Sequence, residues 1–147
     1  MPRNKLLLIE DDRDYRLILR HMIGRIYDIV EAGTLAAGLS MLSFANAHCL
    51  LLDLNLPDSS PDYTVQLARA QRLEVPIVAV SYDSRPETIA TAIHAGADGF
   101  LVKGRDDLRA GEIVKAISQA VVQRGILNSL DRIRGETQFL CREAAIA

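Results

Sequence analysis

The chain has 147 residues, 49% of them hydrophobic and 24% charged, with a formal net charge of −2. This is the balance of one globular domain large enough for its own core. The charge gives no reason to expect nucleic acid or an anionic membrane as a partner, and no apolar run approaches the ~20 residues that span a bilayer. The opening Met1-Pro2-Arg3-Asn4-Lys5 leads directly into an apolar run without the small-residue cleavage site of a secretory leader, so a cytoplasmic location is expected.

The first apolar run, Leu6-Leu7-Leu8-Ile9, ends on Glu10-Asp11-Asp12. Strands are predicted near 5–10, 27–31, 49–53, 77–81 and 98–102, with helical patterns over 12–25, 34–45, 61–73, 86–96 and 106–124. Short, wholly apolar strands alternating with helices predict an α/β domain with a five-stranded parallel doubly wound sheet. Helix starts carry their own signals. Asp12 suits the cap of the first helix, Thr34 that of the second, and Ser60 before Pro61 that of the third. Ser84-Arg85-Pro86-Glu87 reads as a capping box, and Gly96 as the left-handed close of the fourth helix. Cys49 falls in a strand and reads as a buried thiol.

Beyond residue 124 the chain exceeds what a five-helix domain needs, which divides it into a domain over 1–124 and a helical extension or linker over 125–147. Ile126, Leu130, Ile133, Thr137 and Leu140 are spaced 4-3-4-3, a short heptad seam. Three readings stay open: a helix folding back on its own domain, a homodimer through 113–147, and a link to a further domain.

The strand ends carry the chemistry. Cys49-Leu50-Leu51-Leu52 ends on Asp53, Ile77-Val78-Ala79-Val80 on Ser81, and Gly99-Phe100-Leu101-Val102 on Lys103. In open parallel sheets ligands bind beyond the carboxyl ends of the strands. Carboxylates, a hydroxyl and an ammonium therefore converge in one crevice. Clustered carboxylates repel each other unless a hard cation joins them, and Mg²⁺ is the usual one.

The pieces Leu8-Ile9-Glu10-Asp11-Asp12, Leu51-Leu52-Asp53-Leu54-Asn55-Leu56-Pro57, Val80-Ser81 and Gly96-Ala97-Asp98-Gly99-Phe100-Leu101-Val102-Lys103-Gly104, in that order, resemble the receiver domain of two-component response regulators over about 5–124. The resemblance implies a flavodoxin-like (βα)5 fold and a set of roles. Asp53 would be the phosphoacceptor. Glu10, Asp11, Asp53 and the backbone carbonyl of Asn55 would hold Mg²⁺. Ser81 and Lys103 would meet the phosphoryl oxygens, and Phe100 would be the aromatic that turns inward on phosphorylation, altering the 86–110 surface. Asn55 and Asp83 lie where receivers tune hydrolysis of the acyl phosphate. The donor would be a sensor histidine kinase or phosphotransfer protein, and the output a downstream protein or a further domain.

Three residues depart from the family pattern. Tyr82 stands where a small residue is usual and is a candidate gate of the site. Gly104 replaces a common cis-proline, and without proline a cis peptide costs about 2.5–4 kcal/mol. Pro61 stands where glycine is usual and fits a helix start. Asp58 and Asp62 read as solvated turn residues rather than ligands. His21, His48 and His94 lack zinc-site spacing, and the helix around His21, with Tyr15, suits core packing. The implied protein is a phosphoacceptor switch rather than an enzyme. The alternatives are a phosphorylation-independent interaction or dimerisation module of the same fold and an aspartyl-nucleophile phosphatase, which would place an Asp-x-Asp pair on the first strand rather than Asp53-Leu54-Asn55 on the third.

Overall fold

The computed structural model describes residues 2–42, 45–72 and 74–146. Five strands alternate with five helices: β1 (Asn4–Ile9), α1 (Arg13–Ile23), β2 (Tyr27–Ala32), α2 (Leu35–Leu42), β3 (Cys49–Asp53), α3 (Thr64–Gln71), β4 (Ile77–Ser81), α4 (Pro86–His94), β5 (Gly99–Val102) and α5 (Ala110–Ile146). All pairings are parallel, in the order β2-β1-β3-β4-β5. The strand order reverses between β1 and β3, so the crevice at a topological switch point lies beyond Ile9 and Asp53. Every residue of β3 and β4 is buried, which is why these strands read as continuous apolar runs.

The sheet separates two cores. Leu7, Ile9, Leu50, Leu52, Ile77 and Ala79 pack with α2, α3 and α4. Leu6, Leu8, Leu51, Val78, Val80 and Leu101 pack with α1 and α5. On α1 the buried residues Tyr15, Leu19 and Ile23 recur every fourth position, the stripe an amphipathic helix turns toward a core.

The caps differ in part from expectation. Asp12 caps α1, its carboxylate accepting from the amides of Asp14 and Tyr15. Thr34 Oγ1 accepts from Ala37 N at 3.1 Å. Gly96 has φ +117°, the expected left-handed close. Ser60 does not cap α3: its carbonyl accepts from the amides of Tyr63 and Thr64 in a preceding turn, Tyr63 is the N-cap without a side-chain bond, and α3 begins three residues later than predicted. The capping box at Ser84 does not form. Arg85 is the N-cap of α4 without a side-chain bond, and Asp83 accepts instead from Arg85 N at 3.0 Å and Thr88 Oγ1 at 2.7 Å. The predicted helix ends at 43–45 and 73 fall partly on residues 43, 44 and 73, which lie outside the described residues.

α5 runs unbroken through the proposed boundary at 124. Ile113, Ile117, Ala120 and Arg124 are buried, whereas described side chains from Leu130 onward are exposed. Among the described residues the extension thus meets the domain only near its start, where the Asn128 side chain donates to Glu74 O at 3.0 Å. No helix among the described residues is long and apolar enough to cross a membrane.

Candidate functional site

The carboxyl ends of β1, β3, β4 and β5 bring the expected groups together. Glu10 follows β1, its amide bonded to Ala32 O on β2, and its side chain is buried. Asp53 closes β3 and is equally buried; one oxygen accepts from Asn55 N at 3.0 Å. Asp11 stands at the solvent rim, and Glu10, Asp11 and Asp53 offer carboxylate oxygens within 4.8 Å of one another. Lys103 reaches in from the end of β5 and is 5% exposed. Its Nζ lies 2.5 Å from Glu10 Oε2 and 3.3 Å from Asp53 Oδ2. The site thus sets three carboxylates against one ammonium. Burial pushes the Glu10 carboxyl up to about 7, with Lys103 opposing and the Asp53 charge adding. Burial also raises Asp53, opposed by the Asn55 amide and Lys103. This excess of negative, hard oxygen donors fits a divalent cation such as Mg²⁺.

Ser81 is buried at the end of β4, its hydroxyl oxygen accepting from Asp83 N at 3.1 Å and its carbonyl from Lys103 N at 2.8 Å. Phe100 is half-buried on the α4 side of the sheet, packed against the first core. The Asn55 side chain is exposed.

Tyr82 is 60% exposed at the mouth of the site. Its ring centroid lies 5.3 Å from Lys103 Nζ. The Tyr15 ring centroid lies 4.6 Å from the same nitrogen. Both distances are those of cation–π contacts. Gly104 has φ +77°, and a β-carbon there would stand 3.0 Å from Tyr82 Cε1. No cis peptide occurs among the described residues.

Two features were not foreseen. Asp58, exposed as expected, accepts from the amides of Leu35 and Ala36 at 2.8 and 2.9 Å and so tethers the acceptor loop to the start of α2. These bonds hold its carboxyl below the usual carboxylate range. The second is Tyr15, which helical periodicity marked as core; nothing local in sequence reveals that its ring flanks a residue 88 positions away.

The sequence matches the response regulator receiver domain over residues 6–118, and the chain belongs to that family. It is 30% identical over 126 residues to the nitrate/nitrite response regulator protein NarL of Escherichia coli K12, an alignment covering 84% of this chain and 57% of that protein. It is 29% identical over 132 residues to the DNA-binding transcriptional activator DevR/DosR of Mycobacterium tuberculosis, covering 85% of this chain and 58% of that protein. The chain thus spans a little over half the length of these relatives. Among solved structures, the fold is similar to chemotaxis protein CheY4 of Vibrio cholerae (TM-score 0.70, 21% identity, 80% of this chain and 98% of that one). It is also similar to a response regulator of Chloroflexus aurantiacus (TM-score 0.72, 20% identity, 82% and 98%).

Proposed function

We propose that this chain is a phosphorylation-dependent signalling switch with Asp53 as its acceptor. One observation carries the reading: Lys103 Nζ lies within ion-pair distance of both Glu10 and Asp53, with Asp11 completing a carboxylate cluster around the nucleophile. Phosphoryl transfer asks little covalent chemistry of a protein and much positioning and charge neutralisation. With a phosphohistidine donor on a kinase or phosphotransfer protein, the P–N bond breaks as a P–O bond forms to an Asp53 oxygen. The electron pair of the broken bond returns to the imidazole. Lys103 neutralises the phosphoryl oxygens, and Ser81, whose oxygen already accepts from Asp83 N, donates a hydrogen bond from its hydroxyl to one of them. Mg²⁺, held by Glu10, Asp11, Asp53 and the Asn55 carbonyl, supplies further neutralisation of the phosphoryl charge when bound. Phe100 turns inward as Ser81 moves, and the 86–110 surface changes with it. The chemistry is confined to the chain's own phosphorylation and dephosphorylation. Tyr82, beside Lys103 and over Gly104, gates access. The output is a downstream protein, a further domain, or self-association through 113–147.

Intact mass after incubation with acetyl phosphate tests this. Wild type should gain one phosphoryl group only with Mg²⁺, and Asp53→Asn should gain none. A folded wild type that gains none from acetyl phosphate, nor from a phosphohistidine donor, would favour the interaction module that does not depend on phosphorylation.

A further inference from the structure

Tyr15 is 7% exposed, and its hydroxyl has no hydrogen-bond partner among the described residues. Buried polar groups are normally paired, and an unpaired one calls for a reason. Phenylalanine would fill the same space between β1 and Lys103 without an orphaned hydroxyl, so packing does not supply that reason. The surroundings of the ring do. It lies 4.6 Å from the ammonium that meets Asp53. The phenol is pushed up to about 12, by burial first, then by the charges of Glu10, Tyr82 and Asp53. A phenol is a donor at neutral pH in any case, and this one lies close enough to Glu10 and Asp53 for their charges to act on it. Glu10 does not take this hydroxyl in the resting domain: its Oε2 forms the ion pair with Lys103 but, like the Tyr15 hydroxyl, has no hydrogen-bond partner among the described residues. A phosphoryl group on Asp53 would bring three strong acceptor oxygens into the same crevice.

We propose that the Tyr15 hydroxyl is a phosphoryl-binding donor, held unpaired in the resting domain and bonded to an oxygen of the group carried by Asp53. This deepens the switch reading and rests on it. Ser81 and Tyr15 would then approach the phosphoryl group from β4 and from α1, with Lys103 beside the Tyr15 ring. The contact would tie the start of α1 to the phosphorylated state.

The test compares the wild-type chain of residues 1–147 with Tyr15→Phe, which keeps the ring and removes only the hydroxyl. Three quantities are measured: affinity for beryllofluoride in the presence of Mg²⁺, affinity for Mg²⁺ alone, and thermal midpoint with and without beryllofluoride. A hydrogen bond to a charged group leads us to expect beryllofluoride affinity about tenfold lower in the variant. Mg²⁺ affinity should be unchanged. The free variant should melt higher than wild type, because an unpaired buried hydroxyl has gone, and this advantage should shrink or reverse with beryllofluoride bound. Beryllofluoride affinity within twofold of wild type overturns the proposal alone, as does an equal loss in Mg²⁺ affinity, which would make the role structural. A wild type that binds no beryllofluoride and takes no phosphoryl group overturns the switch reading, and the proposal with it.

Discussion

The ring of Tyr82 lies against the bare α-carbon of Gly104: a β-carbon at 104 would stand 3.0 Å from Cε1 and 3.1 Å from Cδ1. The two unusual residues of the site are thus one arrangement. A large ring after Ser81 needs an absent side chain after Lys103, and the φ of +77° at Gly104 suits glycine for a second, independent reason. Gly104→Ala should cost about 1–2 kcal/mol from the left-handed backbone alone, with a further cost from displacing the ring. Tyr82→Ala should relieve only the second part. Denaturant midpoints of both single variants and the double variant measure this. A coupling within about 0.3–0.5 kcal/mol of zero, the range of independent sites, would show that the ring and the glycine do not depend on each other.

Stability should fall as pH rises through the range where Glu10 ionises. Its carboxyl has an ordinary value of 4.5 and sits at about 7 in the folded protein. Below about pH 4.5 it is protonated in both states and costs nothing. Above about pH 7 the folded protein carries the full cost of a buried charge, on the order of 3 kcal/mol at about 1.4 kcal/mol per unit. Asp53 is shifted in the same direction. Glu10→Gln should flatten the decline between these limits, and millimolar Mg²⁺ should remove much of it in wild type. Urea midpoints from pH 4.5 to 8 check both statements; a Glu10→Gln profile parallel to wild type would count against them.

The architecture was legible in the sequence because parallel strands buried on both faces leave unbroken apolar runs, as at Leu50-Leu51-Leu52 and Ile77-Val78-Ala79-Val80. The site was legible for a related reason: its charged groups follow directly on those runs, and strand order carries Glu10, Asp53, Ser81 and Lys103 to one edge. What failed was local. Ser84 promised a capping box that does not form, and Asp83 instead accepts from the Arg85 amide and the Thr88 hydroxyl, because several polar residues within one turn can offer alternative local bonds. Tyr15 and Asp58 escaped notice because their partners lie far away in the chain, and periodicity reports only which face is buried. The fate of α5 beyond Arg124 escaped too, since a weak heptad reads the same whether its partner is the domain, another copy or nothing.

Asp98 joins three parts of the fold through one buried carboxylate. Its Oδ2 accepts from Arg69 Nη2 on α3 and from Ile77 N on β4, both at 2.9 Å. Its Oδ1 accepts from Arg124 Nε on α5 at 3.0 Å. The Asp98 side chain is 1% exposed, so two arginines lose their shared anion if it is removed. Asp98→Ala should cost about 3–5 kcal/mol, the range for breaking a buried pair by deleting one partner. Arg124→Met should cost less, since Arg69 remains. Urea denaturation of the two variants checks the order; equal and small losses would mean the network contributes little.

Past Asn128, whose side-chain amide donates to Glu74 O at 3.0 Å, the described side chains of the long helix are exposed from Leu130 onward. Ile126, Leu130, Ile133 and Leu140 are 54%, 45%, 55% and 65% exposed, and short isolated helices are marginal in water. The 4-3-4-3 spacing of these residues, with Thr137 between, matches the heptad pattern of a coiled-coil seam. Each large aliphatic side chain fully buried there would contribute about 1.5–3 kcal/mol. The expected outcome is a concentration-dependent dimer of residues 1–147 by light scattering, and a monomer for a chain ending at Arg124. Ile133→Asp, in the middle of the seam, should abolish the dimer while leaving acetyl phosphate labelling of Asp53 intact, because the substitution lies far along α5 from the acceptor site. A dimer that survives both changes would put the interface on the domain rather than the helix.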